Sequence, residues 1–385
     1  MPTPSASLDI PFSVPQTFRF RVSRDILGGD WRTLTDLLEP SGDTPPRALV
    51  FVDASLPRAD TELMSRLEAN FENSKDRVQL CEEPWVLGGG EACKNDPAIV
   101  DGLLAHFHQH DLDRRSYVIV IGGGAILDVV GFAASIAHRG IRLIRLPTTT
   151  LAQADSGVGV KTAVNWFSKK NWKGTFAVPW AVINDHHLLR TLPHRDFLSG
   201  FSEVVKVSLL KDPETFAEVE RCAEQIVQRD EAASATVIHK SVLLHLRHIT
   251  EGGDPFEMLE ARPLDFGHWS AHRLESLSDY HVPHGEAVAI GVAIDTLYSR
   301  NVCGFPAEDA DRVIRCFKEL RLPISHALLK NKSMLFDGLE EFRQHLGGRL
   351  TLTLLEAIGR PVNKHEIDRH AMEDAIDEVL TRGNK

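Results

Sequence analysis

Short, continuous apolar runs between glycine or polar turns mark the first half of the chain. Residues 48–53 (ALVFVD) and 117–121 (YVIVI) lack polar alternation, which predicts strands buried on both faces. Residues 17–22 (TFRFRV) alternate apolar and basic positions, the pattern of a half-exposed strand. Residues 77–87 and the segment ending in LPTTT at 146–150 read as further strands. Helical periodicity appears at 60–71 and 98–109, with a short helix near 30–39. Strands alternating with helices in units of roughly 30 residues predict an α/β domain with a doubly wound, mostly parallel sheet. Ligands of such sheets bind beyond the carboxyl ends of the strands, where Asp53, Gly89 and Gly122 fall.

The pattern changes near residue 187. Beyond it, helical periodicity runs through 197–211, 213–228, 231–250, 264–278, 284–302 and 306–320, which predicts an all-α second domain. Residues 1–15 are rich in proline and serine and are expected to form a loose tail. The expected organisation is therefore a tail at 1–15, an α/β domain at 16–186 and a helical domain at 187–385. A chain of 385 residues accommodates two domains of ordinary size.

Charge and cysteine content narrow the functional classes. The net charge is −11, with no block of lysines or arginines, which argues against nucleic acid or an acidic membrane as partner. No apolar run approaches about 18 residues, and the first residues lack a basic segment followed by an apolar core. Neither a membrane span nor a signal peptide is expected, and the simplest location is the cytoplasm. Five cysteines at wide spacings give neither a disulfide framework nor a metal-binding pair, and suit buried thiols in a reducing compartment.

Candidate chemistry begins at the glycine triplet 122–124, between a strand and a helix pattern. Glycines admit a ligand close to the backbone, and the helix N-terminus favours an anion there. The spacing is not that of the dinucleotide fingerprint, and a plain tight turn would look the same. Further on, Glu203 and Lys206 are three apart on one predicted helix, and His268 and His272 four apart on another. His284 opens a third. One glutamate and two or three histidines from separate helices can form a three-ligand catalytic metal site with an open position. Spacing alone pairs His268 with His272. The bland alternative is a set of ordinary polar residues in a chain with 18 histidines.

Several longer phrases run in order through this region: GGGAILDVVGFAAS, HRG, LPTTTLAQADSGVGVKTAVN, KKN, SEVVK and GH…HGEAV. In these the chain resembles 3-dehydroquinate synthase and its relatives, the sugar phosphate cyclases, from about residue 53 to 359. The resemblance implies an NAD-binding domain followed by a helical metal-binding domain. It also implies transient NAD-dependent oxidation of a ring hydroxyl, loss of phosphate, return of the hydride and intramolecular aldol closure. By the matching positions, Glu203, His268 and His284 hold a divalent metal, zinc or cobalt, and His272 either supports a ligand from behind or faces the substrate phosphate. Asp53, Glu91, Lys94, Gly123, Gly124, Asp128, Thr148, Thr149, Asp155, Lys170 and Thr191 match cofactor contacts. Arg139, Lys161, Asn171 and Lys206 match contacts to the substrate phosphate, and Asp155 also matches a residue that reaches substrate hydroxyls. The expected catalytic set is Lys161, Lys206, His272 and Asp155, with Asp265 added from this chain's own departure at 261–268. Arg139 acts across a subunit interface in the family, so a homodimer is expected.

The chain departs from dehydroquinate synthases where a substrate carboxylate would be held. Residues 261–268 read ARPLDFGH: Ala261 stands in the place of an arginine, with Arg262 one residue off, and Asp265 in the place of an asparagine. His245 aligns with a substrate-facing lysine. A lysine of the C-terminal motif is replaced by Arg343 or Gln344. A carboxylate beside Asp265 is repelled, whereas sugar hydroxyls are suitable donors. These changes point to sedoheptulose 7-phosphate and a valiolone-type C7 cyclitol, with 3-dehydroquinate synthase as the alternative and His245 and Arg262 as substrate contacts. A metal-dependent polyol or alcohol dehydrogenase of the same two-domain plan is the second alternative. It is disfavoured by the VVGF continuation at 129–132 and by a phosphate-binding set that an alcohol oxidation does not need.

Overall fold

The computed structural model describes residues 7–167, 169–257, 263–345 and 348–383. A seven-stranded parallel sheet organises the first half, in the order Phe20–Ser23, Ala181–Asp185, Arg142–Pro147, Tyr117–Gly122, Arg47–Asp53. The predicted strand region at 77–87 is two short strands, Gln79–Leu80 and Trp85–Leu87, that both pair with Arg47–Asp53. The two-residue period of a strand sorts the apolar runs onto two faces. Ala48, Val50, Val52, Ile119 and Ile121 pack on one side with Leu63, Leu67 and Phe71 of the helix Leu63–Glu72. Leu49, Phe51, Val118 and Val120 pack on the other with the helices Pro97–Gln109 and Gly124–Ile136. Each such side chain, once buried, contributes about 1.5–3 kcal/mol, so both layers hold the strand ends in fixed register.

From Arg142–Pro147 the chain enters a short π-helical turn, Ala152–Ser156, and then an antiparallel hairpin, Lys161–Trp166 with Lys169–Phe176. The hairpin lies against the helix Gly124–Ile136, where Ser135 and Thr175 hydroxyls meet at 2.7 Å. Beyond Ala181–Asp185 the second half is built mainly of helices. Asp-Pro pairs start two of the helices described here: Asp96 accepts from Ala98 N at 2.9 Å, and Asp212 accepts from Glu214 N at 3.2 Å. The helix predicted over 197–211 is two helices, His194–Ser199 and Phe201–Lys211, broken at Gly200 where the chain packs on the backbone of Thr150 and Leu151.

The helix predicted from 264 begins at His268. It follows a 3-10 turn and Gly267, whose φ of 78° is left-handed and whose missing Cβ leaves room for Val292 N, 2.5 Å from where it would sit. A further hairpin, Leu352–Ala357 with Arg360–Lys364, adds strands to a half expected to be wholly helical. The helix His284–Cys303 runs through the centre of this half and is buried along nearly its whole length.

Candidate active site

The helix Phe201–Lys211 is buried all round up to its last residue, Lys211, so Glu203 and Lys206 lie inside the protein. Lys206 Nζ is 2.5 Å from Glu203 Oε2, within ion-pair distance but off the angles of a hydrogen bond. Burial alone would push Glu203 up, but Lys206, His268 and His284 hold its carboxyl well below the usual range. Burial would likewise lower Lys206, yet Glu203 and Asp155 keep it above its ordinary value. Both groups are therefore charged, and each depends on the other.

His268 Nε2 and His284 Nε2 approach the same oxygen, Glu203 Oε1, at 3.5 and 3.4 Å. Two ligands bound tetrahedrally to one zinc ion at about 2.0–2.1 Å stand roughly 3.4 Å apart, so these separations fit a common ion. Neither Glu203 oxygen has a hydrogen-bond partner among the described residues. Lys206 faces Oε2, which leaves the buried Oε1, between the two imidazoles, as the oxygen that a second cation would satisfy. On this geometry the three residues fit a divalent metal. His272 stands beside them, its ring centroid 5.2 Å from that of His268 and 5.8 Å from that of His284. Burial, reinforced by His268, holds His272 well below its ordinary value, so its imidazole is neutral.

One partner of this set escaped the sequence reading. Glu275 Oε2 lies 3.1 Å from His284 Nδ1, and Glu275 Oε1 accepts from Lys170 Nζ at 2.7 Å. This contact orients the His284 ring with Nε2 toward Glu203, the usual role of a carboxylate behind a metal-binding histidine. Burial lowers His284, but Glu275 and Glu203 outweigh it and push the imidazole up to about 9. Glu275 is three residues from His272 and seven from His268 on one helix face, and that spacing was the available signal. Asp295, also unforeseen, accepts from Gly267 N at 2.9 Å and Trp269 Nε1 at 2.8 Å, and so fixes the turn that presents His268.

The set continues toward the first half. The π-helical turn presents Asp155, whose Oδ1 is 2.8 Å from His245 Nδ1. Burial and Glu203 raise Asp155, but Lys206 and His245 overcome them, and the carboxyl stays below its usual range. Asp265, in the 3-10 turn before His268, is half-buried and adds to the negative field at Lys206. Arg262 and Ala261 lie outside the described residues. Lys161 is exposed and pairs with Glu257. Arg139 is exposed, with φ at 65°, and makes no hydrogen bond or ion pair among the described residues. Arg343 is paired with Glu340 on an outer helix face.

At the carboxyl ends of the strands, Asp53 is the last residue of its strand and accepts from Ser55 N and Oγ at 2.9 and 2.7 Å. Its side chain lies directly against Gly89, where any Cβ would collide with it, and close to Gly122, where a Cβ would meet Ile126 first. Gly123 caps the helix Gly124–Ile136 without a side-chain bond, leaving backbone N–H groups directed beyond the sheet. Thr148 N donates to Gly122 O at 3.0 Å, and Thr149 Oγ1 accepts from Ala152 N at 3.1 Å, which joins the two turns. Lys94 Nζ is 2.6 Å from Asp128 Oδ2 and also bonds Asn171 Oδ1. Asn171 N donates to Asn165 Oδ1 at 2.8 Å, and Asn165 Nδ2 to Glu91 Oε1 at 2.8 Å. Asn171, matched to the phosphate by resemblance, thus sits with the residues matched to the cofactor. Thr191 is half-buried in the turn before His194–Ser199. Lys170 ties this group to the metal-type cluster through Glu275.

A parallel sheet with an open glycine turn, facing a helical half with three convergent metal-type ligands, is the plan of a two-domain enzyme. One half suits a phosphate-bearing ligand and the other a divalent ion. The family models for the 3-dehydroquinate synthase N-terminal and C-terminal parts match residues 85–199 and 200–341. The chain belongs to the 3-dehydroquinate synthase family, within the sugar phosphate cyclases. It is 36% identical over 278 residues to a 3-dehydroquinate synthase of Methylococcus capsulatus, covering 71% of this chain and 76% of that one. It is equally 36% identical over 280 residues to a 2-epi-valiolone synthase of Actinosynnema mirum, covering 71% and 72%. A solved structure of ValA, a 2-epi-5-epi-valiolone synthase of Streptomyces hygroscopicus with NAD+ and Zn2+ bound, superposes with a TM-score of 0.86 at 25% identity, over 97% of this chain and 100% of that one.

Proposed function

We propose that this cyclase converts sedoheptulose 7-phosphate into a valiolone-type C7 cyclitol, releasing inorganic phosphate with no net oxidation. The observation that carries the reading is the charge around Lys206. Its described neighbours are Glu203, Asp155, Asp265 and, through Asp155, His245. That surrounding accepts hydrogen bonds from sugar hydroxyls and, among the described residues, supplies no second cation for a substrate carboxylate. The alternative, 3-dehydroquinate synthase, rests on Arg262 and on relatives of that name.

Glu203, His268 and His284 would hold the divalent ion, zinc or cobalt. Asp53, Glu91, Lys94, Gly123, Gly124, Asp128, Thr148, Thr149, Lys170 and Thr191 would line the NAD+ site. When bound, NAD+ supplies a temporary hydride acceptor and the ion supplies Lewis acidity. Asp155, kept anionic, accepts from the sugar hydroxyls. Neutral His272 is available to take or return a proton at an imidazole nitrogen. Lys206, Lys161 and Arg139 offer cations to the phosphate, whose charge grows as it leaves. The test is simultaneous assay of phosphate and NADH. Sedoheptulose 7-phosphate should release phosphate steadily while NADH does not accumulate; NADH formed in step with turnover would sink the cyclase reading.

The homodimer belongs to the same proposal. Arg139 is exposed beside exposed Ile136, and the hairpin on the same helix exposes Phe167 and Trp172. Such an apolar set with a free guanidinium suits a face between two subunits. Arg139→Ala should be folded but inactive as a homodimer. Mixed with a chain defective at Lys206, it should recover part of the activity, because each hybrid retains one intact site. Absence of recovery in verified hybrids would count against a shared site. All five cysteines are free, which agrees with a reducing cytoplasm, and no described helix is long and apolar enough to cross a membrane.

A further inference from the structure

A second group of metal-type ligands stands apart from the site described above. The helix Pro97–Gln109 carries His106, and His110 follows at its C-terminal cap, four residues on and on the same face. Both Nε2 atoms converge on a single oxygen of Glu82: His106 at 3.0 Å and His110 at 2.9 Å from Oε2. Glu82 comes from the loop between Gln79–Leu80 and Trp85–Leu87 at the sheet edge. The three ligand atoms lie within 4.8 Å of one another.

The histidines are held in place rather than free to swing. The His106 ring packs 4.8 Å from Trp85 and 6.1 Å from Phe51, and 4.7 Å from the His110 ring. His110 is anchored by its backbone carbonyl, which accepts from Arg47 at 3.3 Å. His106 Nε2 is buried yet has no hydrogen bond of good geometry, because the Glu82 oxygen lies close but off its axis. Glu82 itself is half exposed and leaves one side of the cluster open to water. The cluster lies along the sheet edge, between Arg47, which bonds His110, and Phe51 and Trp85, against which His106 packs. Asp53 and Gly122 end their strands beyond it.

We propose that Glu82, His106 and His110 form a second divalent-metal site, distinct from Glu203, His268 and His284. Two imidazoles and one carboxylate with an open position are a donor set for zinc or another borderline ion, and not for magnesium or calcium, which take oxygen ligands. The ion would clamp the end of Pro97–Gln109 to the sheet edge. The segment it clamps continues through Trp85–Leu87 into Gly88–Glu91, so the site would stabilise the frame of the glycine turn without touching the reaction.

The test uses holoenzyme with its first metal already bound, dialysed and then titrated with Zn2+ alone while bound metal is counted per chain. The expected result is a second ion per chain, with a rise in Tm that parallels its uptake. Glu82→Gln and His110→Ala, both at partly exposed side chains, should weaken the second ion by at least about tenfold and remove the Tm rise. The first ion and turnover should remain. Binding of only one zinc per chain by wild-type holoenzyme would overturn the proposal. So would unchanged uptake of the second zinc by both variants.

Discussion

His284→Ala is expected to lose its bound metal and essentially all turnover while remaining folded. The residue stands at the first position of the helix His284–Cys303, preceded by Pro283, and its side chain is partly exposed, so no packed core collapses without it. Removal leaves Glu203 and His268 as a two-ligand remnant, too few for a catalytic ion. It also strips Glu275 of its histidine partner and leaves Lys170 as its remaining ion pair. Loss of Lewis acidity worth several kcal/mol corresponds to on the order of 10³-fold or more in rate. Metal analysis beside circular dichroism checks both halves. Full metal content in His284→Ala, together with metal loss in His272→Ala, would show that the histidine pair chosen by simple spacing is the true one.

Lys206→Met is expected to fail for a different reason. Its ammonium is 2% exposed and compensates both Glu203 and Asp155. Taking away one partner of a buried pair costs about 3–5 kcal/mol, because the remaining charge is stranded. On the proposed function the same cation is offered to the substrate phosphate, so kcat/KM should fall by about 10³-fold. Metal content should persist, since Glu203, His268 and His284 are all present. Retained turnover in a metal-loaded Lys206→Met protein would remove Lys206 from the chemistry.

Much of the frame was legible because it depends on local pattern. Residues 48–53 and 117–121 are apolar on both faces, and only a covered parallel sheet uses such strands. The convergence of Glu203, His268 and His284 could be expected only from a whole phrase. Four-residue spacing brings His272 to the same helix face as His268, but cannot say which ring a third helix will meet. In the fold, His284 approaches Glu203 Oε1 beside His268, while His272 shares its surroundings with Glu275 and His284.

What stayed hidden is long-range. The Lys170–Glu275 contact spans 105 residues, and Asp295 reaches back 28 to Gly267. No periodicity encodes such pairs. The hairpin Leu352–Ala357 did carry a signal, the alternation of threonine and leucine at 351–354, but it was outweighed by the helical pattern around it. The turn at Ala152–Ser156 is π-helical, and that bulge, not any sequence period, aims Asp155 at His245.

The substrate assignment is tested most directly by competition. Sedoheptulose 7-phosphate and the carboxylated C7 sugar phosphate of dehydroquinate synthase are offered together at equal concentration, and the two cyclised products are quantified. Repulsion by Asp265 and loss of a bidentate arginine contact should favour the uncarboxylated sugar by on the order of 10³-fold in kcat/KM. Preferential cyclisation of the carboxylated sugar would contradict the assignment and return Arg262 to the role of carboxylate anchor.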